Sequence, residues 1–199
     1  MNLLVNDLNL ILKSRIGDIE FNTNFRYGIL FEKLMKDPNI EKEVKVIQAI
    51  KIFYPNPKQI TDYEKAVKDL FWFYTCGKNE LEKPQDNKVK KRKNVTEDTD
   101  KKIYDYDIDD GYIYSAFLQQ YGIDLQEIDY LHWWKFKAMF NSLNSDTKIV
   151  EIMGYRNIDL RKIKDKQEKA RYKRLKEIYK LPDMRTEAQK ERDLGNAFW

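Results

Sequence analysis

The sequence predicts a mainly α-helical protein of two folded blocks joined by a charged linker. Apolar residues recur at helical spacing on both sides of a long polar stretch. Capping residues precede these periodic segments, and proline or glycine follows them. A chain of 199 residues is also long enough to bury a hydrophobic core. We therefore expect a helical N-terminal block at 1–76, a flexible linker at 77–102, and a helical C-terminal block at 103–199 with a long charged helix and an aromatic tail.

The linker prediction rests on composition. Only three residues between 77 and 102 are apolar, namely Leu81, Val89 and Val95. Such a segment cannot bury enough surface to offset the entropy that it would lose on ordering. Its centre, KVKKRK at 88–93, is typical of a nucleic-acid or nuclear-import patch. Acidic residues follow that patch directly and the net charge of the chain is only +4, so nucleic-acid binding is disfavoured.

The N-terminal block begins with a segment that favours a short β-hairpin. RIGDIEF at 15–21 has apolar residues in alternation, and Gly17-Asp18 supplies a turn. Asn24 then caps a helix. The predicted apolar face of that helix contains Phe25, Ile29, Leu30, Leu34 and Met35.

Two more helices complete the predicted N-terminal block. The first ends at the prolines of YPNPK, at 54–58, and its apolar face contains Val44, Ile47, Ile50 and Phe53. The second runs from Asp62 to about Cys76 and stops at Gly77. Its inward side chains are those of Ala66, Leu70, Phe73 and Tyr74.

The C-terminal block predicts a helix that begins at Asp109 or Asp110 and ends at Gly122. Asp124 opens a second helix, and residues 128–143 of that helix are apolar on two opposite sides. One side holds Ile128, Leu131, Trp134, Ala138 and Met139. The other holds Tyr130, Trp133, Phe136, Phe140 and Leu143. Such a helix is either buried on several sides or offers one side to a partner.

Further along the chain, residues 160–181 predict a long charged helix that Pro182 closes. The chain then ends in the aromatic pair Phe198 and Trp199, which packs back on the body or acts as a short docking peptide.

The sequence lacks the residue sets that catalysis or metal binding needs. It has one cysteine, Cys76, and one histidine, His132, which we expect to be structural. The acidic stretch at 105–110 resembles a calcium loop, but Asp110 stands where glycine is required and Ala116 where a bidentate glutamate is required. We therefore expect no catalytic residue, no metal, no cofactor and no enzyme. The N-terminal residues resemble neither a secretion signal nor a membrane span, so we expect no membrane contact.

Three stretches of the chain resemble one protein family. They are FNTNFRYGILFEKLM at 21–35, YIYSAFLQQYGIDL at 112–125 with LHWWKFKAMFNSL at 131–143, and KIVEIMGYRNIDL at 148–160. This pattern is similar to the small tail-morphogenesis proteins of siphophages and prophages of Gram-positive hosts. Their genes lie between those of the major tail protein and the tape-measure protein.

The resemblance implies a tail assembly chaperone. Such a protein binds the helical tape-measure protein, helps to recruit the tail-tube protein, acts in the host bacterial cytoplasm, and is absent from the mature virion. Self-association and a frameshifted second product stay open. The alternatives are a structural tail or head-completion protein and, less favoured, a nucleic-acid-binding regulator that acts through residues 88–93.

A chaperone of this kind needs exposed apolar surface between helices. Aromatic side chains are the candidate partner-binding residues, although each of them is also a candidate for the core. They are Tyr112, Tyr114, Phe117, Tyr121, Trp133, Trp134, Phe136, Phe140, Phe198 and Trp199.

Overall fold

The computed structural model describes residues 2–78 and 103–183, which contain eight α-helices and no β-sheet. The mainly helical prediction is confirmed. The helices are α1 (Leu8–Ile16), α2 (Phe25–Lys36), α3 (Lys42–Phe53), α4 (Tyr63–Tyr74), α5 (Asp110–Tyr121), α6 (Trp133–Asn141), α7 (Lys148–Asn157) and α8 (Lys166–Ile178). The predicted linker, beyond residue 78, and the tail residues Phe198 and Trp199 lie outside the described part.

The described residues form two compact units. The first unit contains residues 2–78 together with 130–138, and the second contains 103–129 and 139–183. A segment that lies far along the chain therefore completes the first unit. The domain boundaries at 76 and 103 stay a prediction.

Short polar side chains cap the starts of α1, α2 and α4 in the first unit. Asp7 accepts hydrogen bonds from the backbone N–H groups of Asn9 and Leu10, and Asp62 accepts one from Lys65. Asn24 caps α2 as predicted, because its side chain accepts the backbone N–H of Arg26. These bonds satisfy N–H groups that have no partner within the helix.

The predicted hairpin at 15–21 is wrong. Ile16 is the last residue of α1, and Gly17 ends that helix with a φ of 87°. The chain then runs on without a strand partner, and the backbone N–H of Asn22 donates to the carbonyl of Phe53 at 2.8 Å. The ring of Phe21 stacks on that of Phe53 at 5.3 Å. The segment thus packs against the end of α3 instead of folding back on a neighbouring strand.

The predicted helix over 128–143 is too long, because α6 begins only at Trp133. The carbonyl of Leu131 accepts the backbone N–H of Phe25, and the N–H of Trp133 donates to Thr23, both at 2.8 Å. These backbone groups are used in a single antiparallel bridge to the start of α2. A helix through 128–132 would compete for the same groups.

Two predicted helix faces are partly wrong. On α2 and α3 the side chains of Leu30, Met35, Val44 and Ile47 are exposed, whereas Phe31 and Ala49 are buried. Both helices carry apolar residues on more than one side, so spacing alone does not show which side meets the core. The charged helix is also shorter than predicted, since α8 begins at Lys166, after the N-cap Asp165.

A buried ion pair organises the second unit. The guanidinium of Arg156 donates to both carboxylate oxygens of Asp109, at 2.6 and 2.9 Å. It also donates to the carbonyls of Tyr179 at 2.6 Å and Ile103 at 3.1 Å. One side chain at the end of α7 therefore fixes the start of α5 and the end of α8. None of the helices in the described ranges is long and apolar enough to cross a membrane.

Candidate functional site

Five of the eight described aromatic residues that the sequence nominates for partner binding are in the core. Five side chains are almost completely buried, namely Phe117, Trp133, Trp134, Phe136 and Phe140. A buried ring offers no area to a partner in this conformation. Their role in partner binding stays a prediction that no contact in this structure tests.

The two adjacent tryptophans attach α6 to the end of α4. The indole N–H of Trp133 donates to the carbonyl of Tyr74 at 2.9 Å, and that of Trp134 donates to the carbonyl of Phe73 at 2.6 Å. The last carbonyls of a helix have no partner within it. Both indoles therefore bury a large apolar area and satisfy polar groups of the helix end.

His132 is a structural residue, as its position in the sequence suggested. Its Nδ1 accepts the backbone N–H of Trp134 at 3.1 Å, so it caps the first turn of α6. Its ring meets those of Phe73 and Trp134 edge-on. Burial, and secondarily the charge of Lys135, lowers the pKa of His132 to about 4. The neutral ring then carries its proton on Nε2, because Nδ1 is an acceptor.

The remaining described candidates lie on α5. The hydroxyl of Tyr114 donates to the carboxylate of Asp124 at 2.8 Å, and that of Tyr121 donates to the carbonyl of Met139 at 2.9 Å. Both tyrosines are half-buried, and only Tyr112 is exposed, at 38%.

The first unit instead contains an apolar groove between α2, α3 and α4. Its cavity volume is about 340 Å³. The apolar side chains that line it are those of Phe31, Met35, Val46, Ala49, Val67, Leu70 and Phe71. Lys42 and Lys45 stand at its rim. We call this feature the α2–α4 groove.

The groove is open because each of the three helices contributes one exposed large apolar side chain to its lining. Met35 is 41% exposed, Val46 is 45% exposed and Phe71 is 40% exposed. Ala49 provides a small floor between them. A hydrogen bond positions Lys45 at the rim, because its ammonium donates to the carbonyl of Met35 at 2.8 Å. This carbonyl lies near the end of α2, where a positive charge is favourable. The groove is thus a preformed apolar surface with a basic edge.

The family of the chain follows from a comparison with family models. The model described as Bacteriophage Gp15 protein matches residues 5–181. The chain belongs to this bacteriophage family. The match spans all eight described helices. Searches of curated proteins and of solved structures each found no match.

The chemistry that the groove offers is apolar contact. No group of three or more His, Cys, Asp or Glu residues in the described ranges is placed to hold a metal ion. Cys76 is the only cysteine of the chain, and burial raises the pKa of its thiol, which keeps it in the unreactive protonated form. The apolar side chains that line the α2–α4 groove suit an apolar partner surface.

Sequence reasoning missed the groove, although a signal for it was present. Val44, Val46 and Ile47 place apolar side chains on nearly all sides of α3. A helix with more apolar surface than one packing face needs has surface left for a partner. The same reasoning was applied to residues 128–143, where the structure shows burial, and not to α3, where it shows exposure.

Proposed function

We propose that this chain is a phage tail assembly chaperone that binds a helical segment of the tape-measure protein in the α2–α4 groove. Membership of the bacteriophage family supports a role in phage structure or morphogenesis. The tape-measure protein is the partner that the sequence resemblance implies. Binding involves no chemical step.

The observation that carries this proposal is the exposed apolar groove itself. A groove between helices accepts the apolar stripe of an amphipathic helix, whose anchoring side chains recur at three- and four-residue intervals. Met35, Val46 and Phe71 offer three contact points for such anchors. Leaving these side chains in water is unfavourable, at about 25 cal/mol per Å² of apolar surface. A helical partner removes that cost.

The proposal includes a place and a time of action. The chaperone occupies the host cytoplasm during tail assembly, helps to recruit tail-tube subunits, and leaves before the virion matures. Proteomics of purified particles tests this step. Detection of the chain in mature virions, in stoichiometric amounts, would favour the structural tail or head-completion role instead.

The central experiment is co-expression with the adjacent tape-measure protein, followed by pull-down. Val46→Glu places a charge in the groove, and Val44→Glu makes the same change on the same helix at a residue that does not line it. The two valines are similarly exposed, at 45% and 39%. We expect Val46→Glu to lose capture and Val44→Glu to retain it. Equal capture by both variants would contradict the groove as the binding site.

A third variant tests whether basic residues, and not the apolar groove, drive the binding. A variant with the basic residues of 88–93 neutralised should still capture the tape-measure protein, because apolar contacts do not need those charges. Raising the salt concentration should likewise weaken capture only slightly, whereas it would weaken a charge-led contact steeply. Loss of capture in that variant, with Val46→Glu still active, would make the mechanism wrong. Trp133→Ala does not serve in this assay, because Trp133 is a core residue and its loss changes folding.

A further inference from the structure

One side of α8 carries a row of lysines. Lys166, Lys169, Lys173 and Lys176 follow one another at intervals of three, four and three residues. Residues at these intervals lie along one side of a helix. The row spans ten residues, or about 15 Å at the helical rise. We call these four residues the lysine stripe.

The side of α8 next to the stripe packs against its own unit. Tyr172 and Tyr179 approach the ring of Tyr155, with centroid distances of 6.3 and 5.7 Å. Lys176 is half-buried and donates to the carbonyl of Ile158 at 2.7 Å. The other three lysines of the stripe are exposed. This contact fixes the rotation of α8 and with it the direction of the stripe.

The stripe is electrostatically unfavourable in the isolated protein. Like charges three or four residues apart on a helix repel each other. No described residue forms an ion pair with Lys166, Lys169 or Lys173. Of the acidic residues inside α8, Glu168 lies on another side of the helix, and Glu177 follows Lys173 at four residues, beyond the part of the stripe from Lys166 to Lys173. An anionic partner along the stripe would remove this repulsion.

We propose that the lysine stripe binds an acidic protein helix, which carries Asp or Glu at the same three- and four-residue spacing. A straight row of about 15 Å matches a second helix that lies alongside α8. This surface lies in the second unit and is independent of the α2–α4 groove.

Two observations favour an acidic helix over a nucleic acid. The aromatic rings of α8 face Tyr155, so the stripe has no aromatic platform on which bases stack. The arginines of the helix, Arg171 and Arg174, fall outside the three- and four-residue spacing of the stripe. The stripe therefore offers point charges and lacks the forked donors that read guanine edges or grip phosphate.

The test uses two synthetic helical peptides of the same composition. One carries glutamates at the three- and four-residue spacing, and the other distributes them around the helix. Binding is measured by fluorescence anisotropy at low ionic strength with the full chain. We expect the in-line peptide to bind about tenfold more tightly, since only it faces several lysines at once. Its affinity should fall as salt rises.

The chain offers a matched pair of variants. Lys169→Glu with Lys173→Glu reverses two charges on the stripe, and Arg171→Glu with Arg174→Glu reverses two charges beside it. All four side chains are exposed on the same helix, and the change in net charge is identical. We expect the lysine variant to lose about tenfold in affinity for the in-line peptide and the arginine variant to lose less than about threefold. Circular dichroism checks that both variants keep their helix.

Three results would overturn the proposal. Equal losses in the two variants would show attraction to net charge alone. Equal binding of the two peptides would remove the role of spacing. Tighter binding of duplex DNA than of the in-line peptide, at the same salt concentration, would assign the surface to nucleic acid.

Discussion

The two units are stabilised by different kinds of contact. In the first unit, rings pack on rings: Phe73 contacts Phe21 at 5.0 Å, Phe53 at 5.7 Å and Trp134 at 5.6 Å between centroids. In the second unit, one guanidinium forms four hydrogen bonds to a carboxylate and two carbonyls. The first arrangement depends on shape and buried area, and the second depends on charge and direction.

This difference has a consequence for function. An aromatic core with a large buried area tolerates polar changes at the surface, so exposed apolar side chains such as Val46 and Phe71 remain available for a partner. A directional clamp fixes the position of a helix instead. It holds α8, and therefore the lysine stripe, in a defined orientation. Substitutions in the two units should separate these two modes.

Trp134→Ala should lower the free energy of unfolding by about 4–5 kcal/mol, near the upper end for loss of a buried aromatic side chain. The side chain is 1% exposed, and its removal also takes the indole donor from the carbonyl of Phe73, which keeps the backbone N–H of Cys76. Denaturation by urea measures the change. An unchanged midpoint would show that the aromatic core of the first unit is not the source of its stability.

Arg156→Met should cost about 3–4 kcal/mol, because it leaves the carboxylate of Asp109 buried and unpaired. The double variant Arg156→Met with Asp109→Leu should recover part of this loss, since it removes the unpaired charge. A double-mutant cycle followed by urea denaturation gives the coupling energy. Additive losses would contradict a directional clamp in the second unit.

The first unit should also lose stability in mild acid because of His132. The unfolded imidazole has a pKa near 6.5, whereas burial lowers the pKa in the folded state to about 4. As pH falls from 6.5 to 4, the unfolded state therefore binds a proton that the folded state does not, and stability decreases. The full effect is up to about 3 kcal/mol. It is nearly complete at pH 4, levels off below that pH once the folded imidazole is also protonated, and is small above pH 7.

The control for acid sensitivity is His132→Asn, which keeps an acceptor for the N–H of Trp134 and does not titrate. Its stability should change less than that of the wild type between pH 6.5 and pH 4. The chain has no other histidine, so no second imidazole titrates in this range. Parallel profiles for the two proteins would rule out His132 as the cause.

Two glycine-to-alanine substitutions should change the stability of the protein in opposite directions. A Cβ at Gly28 would overlap the indole ring of Trp133, so Gly28→Ala should destabilise by about 2 kcal/mol. Gly154 lies in α7 with open space around the same position, so Gly154→Ala should stabilise by about 0.5–1 kcal/mol through helix propensity. Thermal melts measure both changes. If both substitutions raised or both lowered the melting temperature, close packing around Gly28 on α2 would not distinguish the first unit from the second.

Local signals in the sequence predicted where α2, α3, α4 and α5 begin or end, whereas α1 and α7 were not predicted. Asn24 and Asp62 bond to backbone N–H groups in the first turn of α2 and α4, and Gly122 ends α5 with a φ of 65°. Prolines end the second helix of the N-terminal block where expected. Each of these signals acts within four residues, so a sequence pattern contains all the information that it needs.

Contacts between distant parts of the chain were not predictable in this way. Residues 128–132 have a helical apolar pattern, yet their backbone bonds to residues 23–25, more than 100 positions away. Asp109 was expected to cap a helix with its side chain, but that carboxylate instead pairs with Arg156. The groove escaped notice for the same reason, because exposure of Val46 depends on which face of α3 meets α2 and α4.

Site-specific crosslinking during co-expression with the tape-measure protein tests the central claim most directly. A photoreactive residue is placed in turn at Val46 in the groove, at Val44 on the same helix, and at Tyr112 on α5. The account predicts a crosslink to the tape-measure protein from position 46 and none from position 44 or 112. A crosslink from position 112 or 44 with none from position 46 would contradict binding in the α2–α4 groove.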